Sequence, residues 1–269
     1  WSHDRGSNVT VMRDSAIVLT RLSRRFGATP AVTDVSVEIP AGEIFGLLGH
    51  NGAGKTTTVN MLTTLLPPTS GDAVVGGKSI IADAAAVRSL IGYLPENVQF
   101  YDNLTLVENL QFFGRLSGLR RPDARIADVL RFLDFTGHDS QRLGTFSKGM
   151  RQRVGIAQAI LHAPAVLFLD EPTSGLDPEG VRTLRETIVR LNKELGLTVF
   201  MNTHLLSEVT RTCTSIGILN QGRLVHHDTV ASTLAAYPEE QSLEEIFFQL
   251  AGTGPVRDRT SGAQGKRVS

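Results

Sequence analysis

The sequence predicts an α/β protein: a mainly parallel sheet covered by helices, with an antiparallel β portion near the N-terminus and a helical segment inserted midway. Three observations carry this expectation. Short apolar runs recur along the chain, most of them separated by helix-length stretches, which is the rhythm of a parallel sheet covered on both faces. Ahead of them Val35, Val37 and Ile39 alternate with Ser36 and Glu38, the period of a half-buried strand of the kind that sits in antiparallel sheets. Between Glu96 and Pro164 the rhythm stops and helical spacing replaces it.

Taken in order, residues 1–11 carry no hydrophobic period and read as an expression remnant or ragged leader, with Met12 as a native start. The core strands are expected at Ile44–Leu48, Ile91–Leu94, Ala165–Leu169, Leu197–Met201 and Ile216–Leu219, with an apolar helix from Val59 to Leu66 after the first of them. In the break, Thr105 and Glu108 form a capping-box pair and Leu106, Leu110 and Phe113 follow at helical spacing, so a helical subdomain is assigned to about 97–163. From Gly252 onward Gly, Arg and Ser dominate, the composition of a loose tail. No internal repeat is visible, so the folded part, 12–251, is one unit.

Composition narrows the function classes. With 269 residues, 41% of them hydrophobic, the chain can bury one large core or a core plus a lobe. Its formal net charge of zero removes the average field that draws proteins onto nucleic acid, and no binding to nucleic acid is expected. No apolar stretch approaches the roughly 18 residues a spanning helix needs, so membrane contact would run through a partner. The single cysteine, Cys213, cannot form an internal disulfide or a cysteine cluster for zinc, which suits a reducing cytoplasm; it reads as a small core residue.

Two motifs carry chemistry. In GHNGAGKTT, Gly49, Gly52, Gly54, Lys55 and Thr56 fill the spacing G-x-x-x-x-G-K-[ST], between a buried strand and an apolar helix. Glycines let the backbone turn its N–H groups onto phosphate oxygens, the helix start adds positive charge, Lys55 reaches the β and γ phosphates, and the Thr56 hydroxyl can ligate Mg²⁺. Asn51, Ala53 and Thr57 complete the ATP-binding loop, as does His50, whose side chain is given no role. In AVLFLDEP a buried strand delivers two adjacent carboxylates at its carboxyl end, where ligands of open α/β sheets bind. Alternation divides the work: Asp170 for Mg²⁺, Glu171 to orient and deprotonate the attacking water. A solvated acidic turn is the plainer alternative. His204 stands just past the Thr198–Asn202 strand, where a neutral imidazole can bond the γ-phosphate or steady Glu171.

Between the two motifs lies FSKGMRQR, Phe146 to Arg153, in which Ser147 can cap a helix and leave its hydroxyl and the Gly149 amide at a positive helix end. With these three parts in this order, residues 16–250 resemble the ATPase subunit of an ABC transporter, most closely the drug and antibiotic exporter type. The resemblance implies a P-loop NTPase (RecA-like) core and an ATPase at the cytoplasmic face of the membrane, bound to a separate transmembrane permease. It also implies a head-to-tail dimer with a second ATPase subunit, in which Ser147, Gly149 and Asp177 of the SGLD loop contact ATP in trans. MNTHLLSEV resembles the switch-histidine segment, and Phe26 takes the place of the aromatic that stacks on adenine, a core phenylalanine being the alternative. Asp177 could equally cap the helix that Pro178 opens.

Four departures from the family pattern stand out. The commonest form, L-S-G-G-Q, is changed by Phe146, Lys148 and Met150, and Met150 lacks the hydrogen bonds of an amide. Glu96 in IGYLPEN replaces the Q-loop glutamine; it is a candidate Mg²⁺ ligand or a loop residue joining the lobe. Two other classes compete. A soluble ABC ATPase acting on nucleic acid or ribosomes would resemble members with long coiled coils or two cassettes, and a phosphate-loop kinase would have no need of the Ser147–Gly149 site.

Overall fold

The computed structural model describes residues 15–240 and 242–252. Residues 1–11, read as a leader, lie outside the described residues, as does the expected tail beyond Gly252.

Two sheets organise the chain. The first is antiparallel, in the order β2-β1-β4-β5, from β1 (Ser15–Phe26), β2 (Thr29–Pro40), β4 (Ser70–Val75) and the two-residue β5 (Lys78–Ser79). The second has six strands in the order β10-β9-β3-β8-β7-β6: β3 (Ile44–Leu48), β6 (Ile91–Leu94), β7 (Val166–Asp170), β8 (Thr198–Thr203), β9 (Ser215–Asn220) and β10 (Arg223–Thr229). All its neighbours pair in parallel except β9 and β10. Each expected core strand is present, and its uniform hydrophobicity has a geometric reason. Successive side chains point to opposite faces, and both faces are covered. In β7, Val166 and Phe168 enter the core shared with the antiparallel sheet, while Leu167 and Leu169 enter the core shared with the helical segment. Phe200 packs tilted against Phe45 and Phe168 in the first of these cores, with ring centroids 5.2 and 5.4 Å away.

The break between Glu96 and Pro164 contains α3 (Leu106–Leu116), α4 (Asp123–Phe132) and α5 (Lys148–Ile160), with no strand among them. Thr105 opens α3 with both halves of the capping box formed, a device that stabilises a helix by about 1 kcal/mol. Asn109, fully buried, ties α3 to the preceding loop through Tyr101, Leu104 and Thr105.

One expectation is corrected, and several strands fall outside those expected. The helix after the phosphate loop, α1, runs Lys55–Leu62 and not to Leu66. Thr64 turns left-handed at φ 63, and Pro67 disfavours helical geometry at Leu66. Strands β1, β4, β5 and β10 carry no clear alternation. In β1 the pairing with β2 shifts register between Leu19 and Leu22, around Arg21 at φ 47, so its period of two is broken in sequence as well as in space. The remaining helices are α2 (Ala84–Leu90), α6 (Pro178–Leu195), α7 (Leu206–Thr212), α8 (Val230–Ala236) and α9 (Leu243–Leu250). Cys213 is buried, and burial pushes its thiol up to about 12, consistent with an inert core residue.

Candidate functional site

The carboxyl ends of β3, β7 and β8 meet at one place, and the loops leaving them build the site. From β3 the chain turns at Gly49, where a Cβ would lie 2.6 Å from the Leu219 carbonyl oxygen and 2.9 Å from Ala53 Cβ. The turn closes at Gly54, at φ 105, where a Cβ would come within 2.5 Å of the Ala31 oxygen. Only glycine fits either position. Gly54 also opens α1 with no side-chain cap, and no acidic residue occupies the first turn. By contrast Thr105, Ser147, Asp177, Thr229 and Ser242 each cap their helices with a side-chain oxygen. The first amides of α1 are thus left to an outside acceptor, which fits a phosphate group.

These amides border a cavity of about 410 Å³ lined by His50, Asn51, Gly52, Gly54, Lys55, Thr56 and Thr57, together with Ala31, Glu96, Glu171 and His204. Lys55 is buried; its ammonium donates to the Gly49 carbonyl at 2.7 Å and lies 3.8 Å from Glu171 Oε1. Burial lowers its pKa, while the charges of Glu171 and Asp170 pull the other way.

At the end of β7 the two carboxylates part company. Asp170 is buried and accepts from Asn202 Nδ2 at 2.7 Å. Tyr93 on β6 is pushed up to about 12, first by burial and then by the charge of Asp170 and a hydrogen bond to it. Glu171 takes φ 46, a left-handed backbone that a non-glycine residue adopts at a cost of order 1 kcal/mol. Its N–H donates to both oxygens of Asn202, at 2.8 Å to Oδ1 and 3.2 Å to the carbonyl. The kink aims the carboxylate into the cavity, where Oε2 meets His204 Nδ1 at 2.8 Å. A carboxylate only accepts, so Nδ1 is the donor in this contact and Nε2 is left facing away from Glu171. Glu171 is thereby held between an imidazole, an ammonium and the backbone lock at Asn202.

Glu96 reaches the same cavity and accepts from Ser174 Oγ at 3.2 Å, which joins the loop after β6 to the SGLD loop. Phe26 lies half-exposed at the end of β1, with the Arg24 guanidinium 4.9 Å from its ring centroid; it is not a core residue and does not line the cavity. Ser147 is exposed at the start of α5 and accepts from the Met150 N–H at 3.2 Å. Asp177 caps α6 on the Gly180 N–H at 3.0 Å, with Pro178 as the first helical residue. Gly149 lies beside the start of α6, 3.8 Å from Gly180 Cα to its would-be Cβ. Gly149 and Asp177 therefore both adjoin Gly180, and none of Ser147, Gly149 and Asp177 lines the phosphate cavity of its own chain.

For a metal, the described residues contain no group of three or more His, Cys, Asp or Glu placed to hold one. The available donors are oxygens: the Thr56 hydroxyl, the Asp170 carboxylate and the Glu96 carboxylate. That set fits Mg²⁺, a hard ion that keeps waters and shares phosphate oxygens with few protein ligands. Sequence reasoning missed Asn202 and Tyr93. The signal for Asn202 was there, a lone amide inside the strand run TVFMNT.

A phosphate loop, an acidic strand end and a capped Ser-x-Gly helix on this two-sheet scaffold define a P-loop ATPase cassette. The ABC transporter family model matches residues 32–174. Bacitracin transport ATP-binding protein BcrA of Bacillus licheniformis is 39% identical over 78% of this chain and 68% of its own length. Linearmycin resistance ATP-binding protein LnrL of Bacillus subtilis is 39% identical over 76% of this chain and 66% of its own. A solved ATP-binding subunit of an ABC transporter, 30% identical, superimposes with a TM-score of 0.77 over 88% of this chain and 99% of that one. The chain belongs to the ABC transporter family as an ATP-binding cassette, whose general activity is ATP hydrolysis coupled to transport.

Proposed function

We propose that this cassette binds Mg²⁺-ATP, hydrolyses it in a head-to-tail pair of copies, and so powers a separate permease that exports a drug-like or antibiotic-like compound. The reading of export rests on the similarity to bacitracin and linearmycin proteins. The cassette is residues 12–251, with the helical subdomain at about 97–163 inserted in the core and the cytoplasmic face of the membrane as its working place. No helix among the described residues is long and apolar enough to cross a membrane. Tyr101, Phe112 and Leu116 expose large apolar surface on one side of the helical segment, with the Tyr101 and Phe112 rings 5.1 Å apart; such a patch suits a protein partner. Zero net charge argues against nucleic acid as that partner.

The observation that carries the proposal is the constraint on Glu171. The α1 amides and Lys55 hold the β and γ phosphates; Thr56, with Asp170 acting through the ion's water shell and Glu96 in reach, would hold Mg²⁺, which would supply charge neutralisation at the phosphates. Glu171 takes a proton from the attacking water, and His204, bonded to it through Nδ1, keeps the carboxylate aimed and presents Nε2 toward the γ-phosphate side. Phe26 offers a π-face to adenine. From the second copy, the Ser147 hydroxyl still has its own proton to donate while accepting from Met150, and the Gly149 amide and the Asp177 loop approach the same nucleotide.

Glu171→Gln tests this directly. The variant should bind ATP and elute as a dimer in ATP and Mg²⁺ by size exclusion with light scattering; a monomer under saturating ATP would remove the two-copy mechanism.

A further inference from the structure

Arg185 and Glu208 form a largely buried ion pair away from the phosphates. Arg185 Nη1 donates to Glu208 Oε1 at 3.2 Å and to Oε2 at 3.0 Å, with the two side chains 19% and 10% exposed. Their elements matter. Glu208 lies in the first turn of α7, four residues after His204, and Arg185 lies on α6, the helix that Asp177 of the SGLD loop opens. Eight residues separate Asp177 from Arg185 along α6, a rise of about 12 Å.

The His204 segment has few directional restraints of its own. α7 has seven residues and no side-chain cap at Leu205, too short to be stable by itself. Thr203 fixes its entry by accepting from the Leu205 N–H at 3.1 Å, and Val209 buries fully in the core. Apolar burial is non-directional and tolerates small slides and rotations; the ion pair does not, because one Nη1 must satisfy both carboxylate oxygens. Buried pairs are weak contributors to stability compared with apolar residues of similar size, so the fixed geometry is the more informative property of this one.

We infer that Arg185 and Glu208 are a positioning pair for ATP hydrolysis: they lock α7 to α6 and thereby set His204 against Glu171, tying the histidine to the helix that carries the SGLD loop. The inference rests on the proposed role of His204.

The test is the double variant Arg185→Met with Glu208→Leu, which replaces the pair by apolar groups and leaves no unpaired charge. It should melt at or above the wild-type temperature. Its KM for ATP should stay within about twofold while kcat falls roughly 10-fold, since small misplacements of aligned groups cost rate more than binding. Arg185→Lys, which keeps the charge and loses the fixed guanidinium geometry, should fall between it and the wild type; this variant also decides the matter if the double variant does not fold. In a His204→Ala background the double change should lower kcat little further, because both act through one group. Wild-type kcat in a folded double variant, or in Arg185→Lys should the double variant not fold, or an undiminished extra loss in the His204→Ala background, overturns the positioning role. Wild-type kcat in His204→Ala alone overturns the underlying reading of the histidine instead.

Discussion

The starts of α1 and α5 present the same chemistry in opposite states of completion. Each is a helix N-terminus free of acidic side chains in its first turn, and each therefore favours an anion. At α1 the chain supplies everything around the anion: Gly54 leaves the amides uncapped, and Lys55, Glu171 and His204 line the same cavity. At α5 a serine caps the helix, Ser147 and Lys148 are exposed, and no residue of the 146–153 run lines that cavity. The contrast teaches that a helix end acquires a reaction from the groups placed opposite it. The first end has them within one chain, whereas the second lacks them unless another copy brings them.

Substitutions around the two helix starts test this contrast. Glu171→Gln should lower ATP turnover by about 100-fold or more, the scale of a lost general base, while ATP affinity stays near wild type; phosphate release and a binding titration separate the two. Lys55→Ala should weaken ATP binding by about 10- to 100-fold, as expected for a charge-assisted contact to phosphate, with calorimetry as the measure. If affinity is unchanged, the α1 end is not the phosphate site. Ser147→Ala should cost about 1 kcal/mol of stability in denaturant unfolding through loss of its cap. It should also weaken ATP-dependent pairing in ultracentrifugation without altering the affinity of the dilute chain for ATP. A loss of affinity in the dilute chain would place the α5 end at its own chain's nucleotide and erase the contrast. Smallest is Met150→Gln, which restores an amide to the Ser147 helix and should strengthen pairing by no more than about 1 kcal/mol.

Much of the site was legible in sequence because its chemistry dictates residue types. Glycines at 49 and 54 are demanded by a close carbonyl and a positive φ, and the strand before Asp170 is apolar throughout because both its faces are buried. The Thr105 and Ser147 caps were readable for the same reason: a side-chain oxygen three residues before an unpaired amide has one obvious use. What escaped depends on tertiary pairing. Strand β1 loses its alternation at a register shift, and β10 is an edge strand in which no residue is fully buried. The end of α1 is decided by Thr64 and the prolines beyond it. Asn202 acquires its task only when β8 lies beside β7, which brings one amide within reach of both the Asp170 carboxylate and the Glu171 backbone. Phe26 shows the reverse case, a residue whose exposure settles that it is not core while leaving its stacking role to be measured.

The phosphate loop also has a neighbour from the far end of the sequence. The His50 ring meets Phe247 of α9 edge-on, with centroids 4.8 Å apart, and the Ala251 carbonyl just past α9 accepts from Asn220 at 2.9 Å. A shortened chain that stops before Leu243 would strip the outer wall from the loop that grips the nucleotide. Removing α9 should therefore loosen the phosphate loop from some 190 residues away in sequence, though the change falls outside every motif.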